Sequence, residues 1–251
     1  MNEPLVSIIT PSFNSENFIR ETIESIVNQT YRNWELLITD DNSSDKSCEI
    51  INSYVKKYPR IKLYQLKNNS GAGVARNNSI LKASGRFIAF CDSDDRWLAE
   101  KLKKQVDFLM KHNLIFTYSG YEVTNECGAH NGRVVPPLEI SYDKMLKNNY
   151  VGCLTAIYDS KKIGKQFMPE IRKRQDWVLW LNILKKYGPT KGMPESLAKY
   201  RVRNKSVSSN KVELLKYNWL VYNNELGFNK FKSILLLLNF MYYYGRKKLL
   251  K

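Results

Sequence analysis

Short apolar runs alternate with helix-period segments through the first 120 residues, and this alternation constrains the fold more than any other feature. The apolar runs predict five strands, at 5–10, 34–40, 61–66, 86–91 and 114–119. The segments between them predict helices at 18–27, 45–58, 72–83 and 98–109. Strands and helices in this order predict an α/β fold with a mainly parallel central sheet, right-handed crossovers and helices on both faces.

The second half of the chain is less regular. Residues 121–140 are rich in turn formers and predict a loop or hairpin, 153–159 and 196–202 predict short strands, and 175–187 predict an amphipathic helix followed by two more helices. We find no internal repeat and no linker. We therefore expect one compact domain with halves at 1–120 and 121–208, and a basic helical extension at 209–251.

Charge is distributed very unevenly along this chain of formal net charge +16. Residues 1–100 carry 12 basic and 13 acidic side chains, whereas residues 101–251 carry 28 basic and 11 acidic ones. A strongly basic surface attracts nucleic acid, anionic lipid or phosphorylated substrates. A lysine-rich face that is simply solvated is the alternative.

Composition narrows the class of protein further. Hydrophobic residues make up 43% of the chain, enough to bury a sizeable core. The first residues lack the basic region of a signal peptide, and the four scattered cysteines form no CxxC pair, so we expect reduced thiols in a cytosolic protein. With only two histidines, at 112 and 130, a histidine-rich metal site is not expected.

Three closely spaced carboxylates follow the fourth predicted strand, in the sequence FCDSDD at 90–95. Carboxylates packed this closely repel one another and need a cation. Oxygen ligands of this kind suit Mg²⁺ or Mn²⁺, which usually bind substrate phosphates as well. The alternative is a helix N-cap with a charged first turn before Trp97.

Polar clusters also follow the first three predicted strands, at 10–14 (TPSFN), 39–45 (TDDNSSD) and 69–77 (NSGAGVARN). Gly71 and Gly73 in the last cluster permit close backbone approach, and the helix N-terminus beside them favours anions. A capping turn is the alternative for the cluster at 39–45. Because ligands of α/β sheets bind beyond the carboxyl ends of the strands, the four clusters together predict one site at one edge of the sheet.

Four stretches resemble the inverting glycosyltransferases of family 2, which have the GT-A fold. They are SIITPSFN, ESIVNQTYRNWELLITDDNSSD, GAGVARN and GRFIAFCDSDDRW, in family order and spacing across residues 4–110. The resemblance is to enzymes of bacterial O-antigen, capsule and exopolysaccharide synthesis. It implies transfer of a sugar from a nucleotide-sugar donor, a UDP-sugar by family frequency, to a lipid-diphosphate-linked saccharide. The enzyme would be cytoplasmic and peripheral on the inner face of the cytoplasmic membrane.

The resemblance also implies roles for individual residues. Asp94 and Asp92 would hold a Mn²⁺ or Mg²⁺ ion that bridges the donor diphosphate, with Asp94 the direct ligand. Asp176 would be the general base that activates the acceptor hydroxyl, a role that can coexist with an N-cap. The donor nucleotide would contact the residues that match the base pocket, the nucleotide-binding arginine and the DxD motif: Pro11, Phe13, Asn14, Asp41, Arg76, Asp92 and Ser93.

The chain departs from the family pattern at two positions. Many relatives have a Glu-Asp pair where this chain has Gln175 and Asp176, so a single carboxylate is available. Many carry a histidine where it has Arg203, which leaves no histidine as a third protein ligand for the metal. A solvated loop is the alternative for 200–208. The candidates for contacts with phosphate or acceptor are Arg174, Gln175, Trp177, Arg201, Arg203 and Lys205.

The last 22 residues, at 230–251, combine an apolar stretch with basic residues and tyrosines. The apolar part at 234–244 is about half the roughly 20 residues that cross a bilayer. This pattern predicts a helix that lies on an anionic membrane surface. A helix packed on the core with a basic solvent face is the alternative.

Other classes of function fit parts of the sequence. A nucleic-acid-binding protein fits the charge, but the aromatics are not interleaved with arginines in a known binding pattern, so we expect no nucleic-acid partner. A nucleotidyltransferase would ordinarily have a glycine- and lysine-rich loop where this chain has TPSFNSEN. The GAG sequence at 71–73 is not a P-loop, because no Gly-Lys-Ser/Thr follows it. The presence of Asp92, Asp94 and Asp176 argues against an inactive relative.

Overall fold

The first part of the chain repeats a strand and a helix four times. The computed structural model describes residues 3–203 and 211–249. The strands are β1 (Val6–Ser12), β2 (Trp34–Asp40), β3 (Ile61–Gln65) and β4 (Phe87–Phe90), and the helices are α1 (Ile19–Val27), α2 (Ser47–Lys57), α3 (Ala72–Lys82) and α4 (Lys101–Lys111). The predicted alternation is confirmed, with bounds that shift by a few residues.

The central sheet has the strand order β3-β2-β1-β4-β10-β6, where β6 is Phe116–Thr117 and β10 is Ile157–Asp159. The first four strands are parallel, and β10 runs antiparallel to both β4 and β6. The fifth strand predicted at 114–119 is therefore shorter than expected and is separated from β4 by a later strand. An apolar run indicates that a strand is buried but not which strand lies beside it.

A second sheet has the order β5-β12-β7-β8. Its strands are β5 (Arg96–Trp97), β7 (Ser119–Thr124), β8 (His130–Val134) and β12 (Met193–Arg201), and the short strands β9 (Glu139–Ile140) and β11 (Thr190–Lys191) form a separate pair. The antiparallel pair of β7 and β8 confirms the hairpin expected within 121–140. Because β5 directly follows the acidic turn at 92–95 and pairs with β12, this sheet holds the end of β12 beside that turn.

The remaining helices cover the second half of the chain. They are α5 (Tyr142–Lys147), α6 (Ser160–Ile163), α7 (Gln175–Tyr187), α8 (Lys211–Leu220) and α9 (Lys230–Leu249), with a 3₁₀ turn at Cys153–Thr155 and a π turn at Val221–Glu225. Helix α7 has the predicted bounds and buries its predicted apolar side. Its Trp180 ring lies 5.5 Å from that of Phe90 and 5.0 Å from that of Phe116, so α7 packs against the central sheet.

Two apolar clusters fill the two faces of the central sheet. Alternate residues of β1 face opposite sides, with Ile9 in one cluster and Ile8 in the other. The first cluster contains residues of α3, α5 and α7, and the second contains residues of α1, α2 and α4. Helices therefore cover both faces, as predicted, and the edge formed by the strand ends remains for polar groups.

Helix α9 packs on the core along one side and presents apolar residues along the other. Phe240 is 5% exposed and its ring lies 5.8 Å from that of Trp177. The exposed side contains Phe231, Ile234, Leu235, Leu238, Met241 and Tyr242. The packing of α9 on the core is therefore observed, and the expected contact of its exposed side with a membrane stays a prediction. Within the described ranges, no helix is both long and apolar enough to cross a membrane.

Candidate active site

The polar clusters after β1 and β2 meet at one edge of the central sheet. The Asn14 N–H donates to Ser43 Oγ (2.9 Å), and the Asn14 side-chain oxygen accepts the Ser44 N–H (2.9 Å). Pro11 is buried within β1, whereas Phe13 is 47% exposed. Phe13 therefore presents an accessible aromatic ring at the predicted base pocket.

Asp41 connects the end of β2 to the start of α3. Its two carboxylate oxygens accept the N–H groups of Ser70 and Gly71, each at 2.7 Å. Gly71 has φ +96°, which residues with a Cβ rarely adopt. The buried Asp41 carboxylate therefore fixes the loop that leads into α3. The predicted contact of Asp41 with the donor base stays a prediction.

Arg76 connects α3 to the acidic turn after β4. Its Nη2 lies 2.6 Å from Asp92 Oδ1, and the Arg76 side chain is only 7% exposed. Burial, the largest single influence, lowers the pKa of Arg76, but the charge and hydrogen bond of Asp92, together with Cys153 and Asp176, hold that pKa above its ordinary value. The Arg76 Nε is buried without a hydrogen-bond partner among the described residues. A buried N–H of this kind is a ready donor for a ligand oxygen.

The three aspartates of the turn have three different environments. Asp95 is 1% exposed and accepts the Arg201 N–H at 3.0 Å. Its burial, reinforced by the charges of Asp94 and Asp92, raises its pKa well above the ordinary value. Asp94 Oδ2 lies 2.8 Å from Arg203 Nε. Burial raises the pKa of Asp94, with Arg203 opposing that rise and Asp92 adding to it. Asp95 is thus a structural residue, and Asp92 and Asp94 remain for a ligand.

The donor set of this turn fits a Mg²⁺ or Mn²⁺ ion. In the described part of the chain, no three His, Cys, Asp or Glu side chains form a complete metal cage. Mg²⁺-type ions commonly use one or two carboxylates and complete their shell with water and substrate phosphates. The Asp92 and Asp94 side chains are 29% and 17% exposed, so both can be reached. Half-buried Ser93 lies between them in sequence.

Asp176 lies at the beginning of α7, on the same side of the sheet. Its Oδ2 accepts a hydrogen bond from Asn149 Nδ2 at 3.1 Å. Gln175 packs so closely on Gly73, at the start of α3, that a Cβ on that glycine would lie 3.1 Å from Gln175 Cγ. This packing brings Asp176 near Arg76, whose pKa is raised by the Asp176 charge after those of Asp92 and Cys153. The predicted base and the predicted donor-binding arginine therefore share one site.

Two residues of this site were not found by sequence reasoning. Asn149 accepts the Val151 N–H at 3.2 Å through its oxygen, which aims its amide N–H₂ at Asp176. Cys153 lies close enough to Arg76, Asp92 and Asp176 for their charges to act on its thiol, whose pKa burial raises well above the ordinary value. Asn149 lies between predicted elements, and Cys153 lies at the start of the strand predicted at 153–159, where the structure has a 3₁₀ turn before the shorter strand β10.

Two candidate contacts for phosphate or acceptor need correction. Trp177 is fully buried and donates its indole N–H to Met145 O, so it is a core residue. Arg201 is 4% exposed and contacts Asp94 O and the carboxylate of Glu21, so it holds the fold together. The apolar core surrounds the Trp177 side chain, and these acceptors hold the Arg201 side chain, so neither is available to a ligand in solvent.

The other candidates in this group have different positions. The Arg174 guanidinium lies 5.5 Å from the centre of the Trp177 ring and 5.7 Å from that of Phe240. Gln175 is buried against Gly73, and Arg203 pairs with Asp94. Lys205 lies outside the described residues.

Comparison with known proteins identifies the family of the chain. The family model described as glycosyl transferase family 2 matches residues 7–182. The candidate teichuronic acid biosynthesis glycosyltransferase TuaG of Bacillus subtilis is 43% identical over 221 residues, 88% of each chain. WfgD of Escherichia coli, a UDP-Glc:α-D-GlcNAc-diphosphoundecaprenol β-1,3-glucosyltransferase, is 41% identical over 242 residues, 96% of this chain and 94% of WfgD.

A solved structure supports the fold. The structure of Staphylococcus aureus TarS 1–349 in complex with UDP-GlcNAc superposes with a TM-score of 0.72 at 22% identity, covering 95% of this chain and 72% of the TarS chain. This similarity confirms the expected GT-A fold. The family match spans most of the chain, from β1 into α7, and includes each acidic residue discussed above. The chain belongs to glycosyl transferase family 2 and is a glycosyltransferase.

Proposed function

We propose that this glycosyltransferase acts in bacterial surface polysaccharide synthesis. It transfers a sugar from a UDP-sugar to a lipid-diphosphate-linked saccharide, with inversion and with a bound Mn²⁺ or Mg²⁺ ion. The observation that carries the proposal is the convergence of Arg76, Asp92, Asp94 and Asp176 at one edge of the sheet, within one connected set of ion pairs and charges. Acidic groups for a metal and a separate carboxylate for a proton are the groups that such a transfer requires.

The donor would lie across the carboxyl ends of β1, β2 and β4. Phe13 offers an exposed ring for the base, and the loop held by Asp41 offers backbone groups beside it. The unpartnered Nε of Arg76 is available to a phosphate or sugar oxygen. A metal ion held by Asp92 and Asp94 would act as a Lewis acid on the diphosphate leaving group.

Asp176 would take the proton of the acceptor hydroxyl. As that proton leaves, the acceptor oxygen forms its bond to the anomeric carbon of the donor sugar. The bond between that carbon and the diphosphate oxygen breaks, and its electron pair leaves with the nucleoside diphosphate. Because Asn149 donates to one Asp176 oxygen, the other oxygen is left to accept the proton.

The acceptor class is inferred from relatives with nearly the same length. WfgD and WfaP of Escherichia coli, named as glucosyltransferases that act on α-D-GlcNAc-diphosphoundecaprenol, are 41% and 38% identical to this chain. TuaG is named for teichuronic acid biosynthesis. A membrane-embedded acceptor with an anionic diphosphate also suits the basic second half of the chain.

We infer further that α9 holds the enzyme at an anionic membrane surface. The exposed apolar residues recur every three or four positions from Phe231 to Tyr242, which places them along one side of the helix. Lys230 and Lys232 are exposed at its start. An apolar stripe with flanking basic residues is typical of helices that lie in the membrane interface. The enzyme would then work at the cytoplasmic face, where its lipid-linked acceptor is accessible.

A donor screen tests the proposal. Purified enzyme is incubated with UDP-glucose, UDP-GlcNAc, UDP-galactose or GDP-mannose, with Mn²⁺ or with EDTA, and with a GlcNAc-diphospho-lipid analogue. We expect release of UDP and transfer that requires Mn²⁺, with opposite anomeric configuration in donor and product by NMR. Release of pyrophosphate from a nucleoside triphosphate would instead identify a nucleotidyltransferase. Failure to bind or use any nucleotide sugar would refute the proposal.

A further inference from the structure

The acidic turn contains two ion pairs of very different character. Arg76, which pairs with Asp92, extends from the middle of α3 and is almost completely buried. Arg203, which pairs with Asp94, follows the end of β12 at Arg201 and has a side chain that is 29% exposed. The first pair is therefore fixed by a helix, whereas the second is held by a side chain with room to move.

The second pair is also less well directed. Arg203 Nε lies 2.8 Å from Asp94 Oδ2, but this buried Nε satisfies no hydrogen-bond geometry within the described residues. A charge-assisted pair loses much of its strength when the N–H is not aimed at the oxygen. The guanidinium carbon lies 5.5 Å from the centre of the Phe18 ring, which gives the side chain a second resting surface.

A guanidinium and a divalent cation that contact the same carboxylate repel each other. Asp94 is the predicted direct metal ligand, so Arg203 must leave it, or share it unfavourably, when a metal ion binds. The donor diphosphate supplies new negative charge at the same place, and arginine binds phosphate oxygens well. We propose that Arg203 competes with the metal ion for Asp94 and transfers to the donor diphosphate, so that metal binding depends on donor binding. This inference rests on the proposed function.

The coupling has a thermodynamic consequence that can be measured without turnover. If UDP gives Arg203 an alternative partner, UDP strengthens Mn²⁺ binding, and Mn²⁺ strengthens UDP binding by the same factor. Loss of the Arg203 charge should raise the Mn²⁺ affinity of the protein without UDP. It should also reduce the factor by which UDP and Mn²⁺ strengthen each other's binding.

The test measures Mn²⁺ binding by electron paramagnetic resonance and UDP binding by calorimetry. The proteins are the full chain, Arg203→Gln and the matched control Lys199→Gln. Lys199 lies on β12, is similarly exposed and pairs with Glu122 at 3.5 Å, so its substitution removes the same charge away from Asp94. Without UDP, we expect Arg203→Gln to bind Mn²⁺ about 5- to 100-fold more tightly than the full chain, in the usual range of coupling between sites. Lys199→Gln should bind as the full chain does.

The outcomes separate this inference from the proposed function. Equal or weaker Mn²⁺ binding by Arg203→Gln without UDP would overturn the inference while leaving a metal-dependent transferase intact. Absence of Mn²⁺ binding by every protein, with or without UDP, would overturn both. If Arg203→Gln does not fold, as judged by thermal unfolding, Arg203→Ala gives the same comparison.

Discussion

The aspartates at 92, 94 and 95 show how neighbouring residues of one type acquire different roles. Asp95 is buried and accepts a backbone N–H, Asp92 pairs with a buried arginine, and Asp94 pairs with a partly exposed one. The sequence predicts that this turn is acidic and follows a strand. It does not predict that Asp95 is the structural carboxylate, because its partner, the Arg201 N–H, lies more than 100 positions away on β12.

The roles of Asp176 and Asp94 can be separated by two isosteric substitutions. Asp176→Asn should lower kcat about 10²- to 10⁴-fold, the usual contribution of a general base, and leave UDP-sugar binding near normal. Asp94→Asn should abolish the Mn²⁺-dependent part of donor binding. Calorimetry and a coupled assay for released UDP measure both effects. Asp107→Asn, at an exposed position of α4, is the matched control. Full turnover by Asp176→Asn would exclude it as the base.

The buried amine of Lys101 should make the stability of the fold depend on pH. Its amine is fully buried, donates to Gln105 Oε1 (2.6 Å) and lies 4.0 Å from the centre of the Trp97 ring. Burial lowers the pKa of Lys101 from 10.5 to about 7. The unfolded chain therefore binds one more proton than the folded protein between these pH values. The resulting penalty on folding is fully present below about pH 7 and disappears as pH rises towards 10.5.

Lys101→Met removes this titration and tests it. The free energy of unfolding of the unmodified protein should rise relative to that of Lys101→Met as pH increases from 7 to 9, by at most about 1.4 kcal/mol per pH unit. Urea unfolding at pH 7, 8 and 9 measures the difference. Lys103→Met, at an exposed position of the same helix, should show no such trend. A difference that stays constant with pH for Lys101→Met would contradict the buried, neutral amine.

At the scale of elements, the local signals of the sequence predicted more than its long-range pairings. The helix α7 has the bounds predicted from apolar spacing, since Trp177, Trp180 and Leu184 mark its buried side. The antiparallel insertion of β10 between β4 and β6 was not predicted, because its three residues give no information about their neighbours. The site follows the same rule: the strand-end clusters were predicted, whereas Asn149, between predicted elements, and Cys153, in a 3₁₀ turn where a strand was predicted, were not.

The exposed apolar side of α9 is open to a direct test. Leu235 and Leu238 are 50% and 57% exposed, so replacing both with Glu should not disturb the core. We expect the double variant to lose binding to phosphatidylglycerol-containing vesicles in a sedimentation assay while UDP binding is retained, because charged groups cannot enter the apolar interface. Leu138→Glu, at a 65% exposed position outside α9, is the control. Unchanged sedimentation of the double variant would contradict a membrane role for this helix.

At the scale of the whole molecule, the charge is divided between the two halves of the chain. The first 100 residues, which contain all the residues predicted to bind the donor nucleotide, are almost neutral. The basic excess lies in the second half, which contains Asp176 and α9. A nearly neutral donor side needs local cations such as Arg76 or a metal ion to bind a diphosphate. A basic acceptor side instead attracts an anionic surface as a whole.

This division predicts a different salt dependence for the two binding events. Salt shortens the Debye length from about 10 Å at 0.1 M to about 3 Å at 1 M, which screens a diffuse basic surface far more than contact ion pairs in a partly buried site. Raising NaCl from about 0.05 M to about 0.5 M shortens the Debye length severalfold. It should therefore strongly weaken binding to phosphatidylglycerol vesicles. Binding of UDP with saturating Mn²⁺, measured over the same range by calorimetry, should change much less.

Vesicles of phosphatidylcholine alone should bind weakly at every salt concentration, because the apolar stripe of α9 acts there without electrostatic attraction. Equal salt sensitivity of vesicle and UDP binding would show that the basic half serves the donor rather than the membrane.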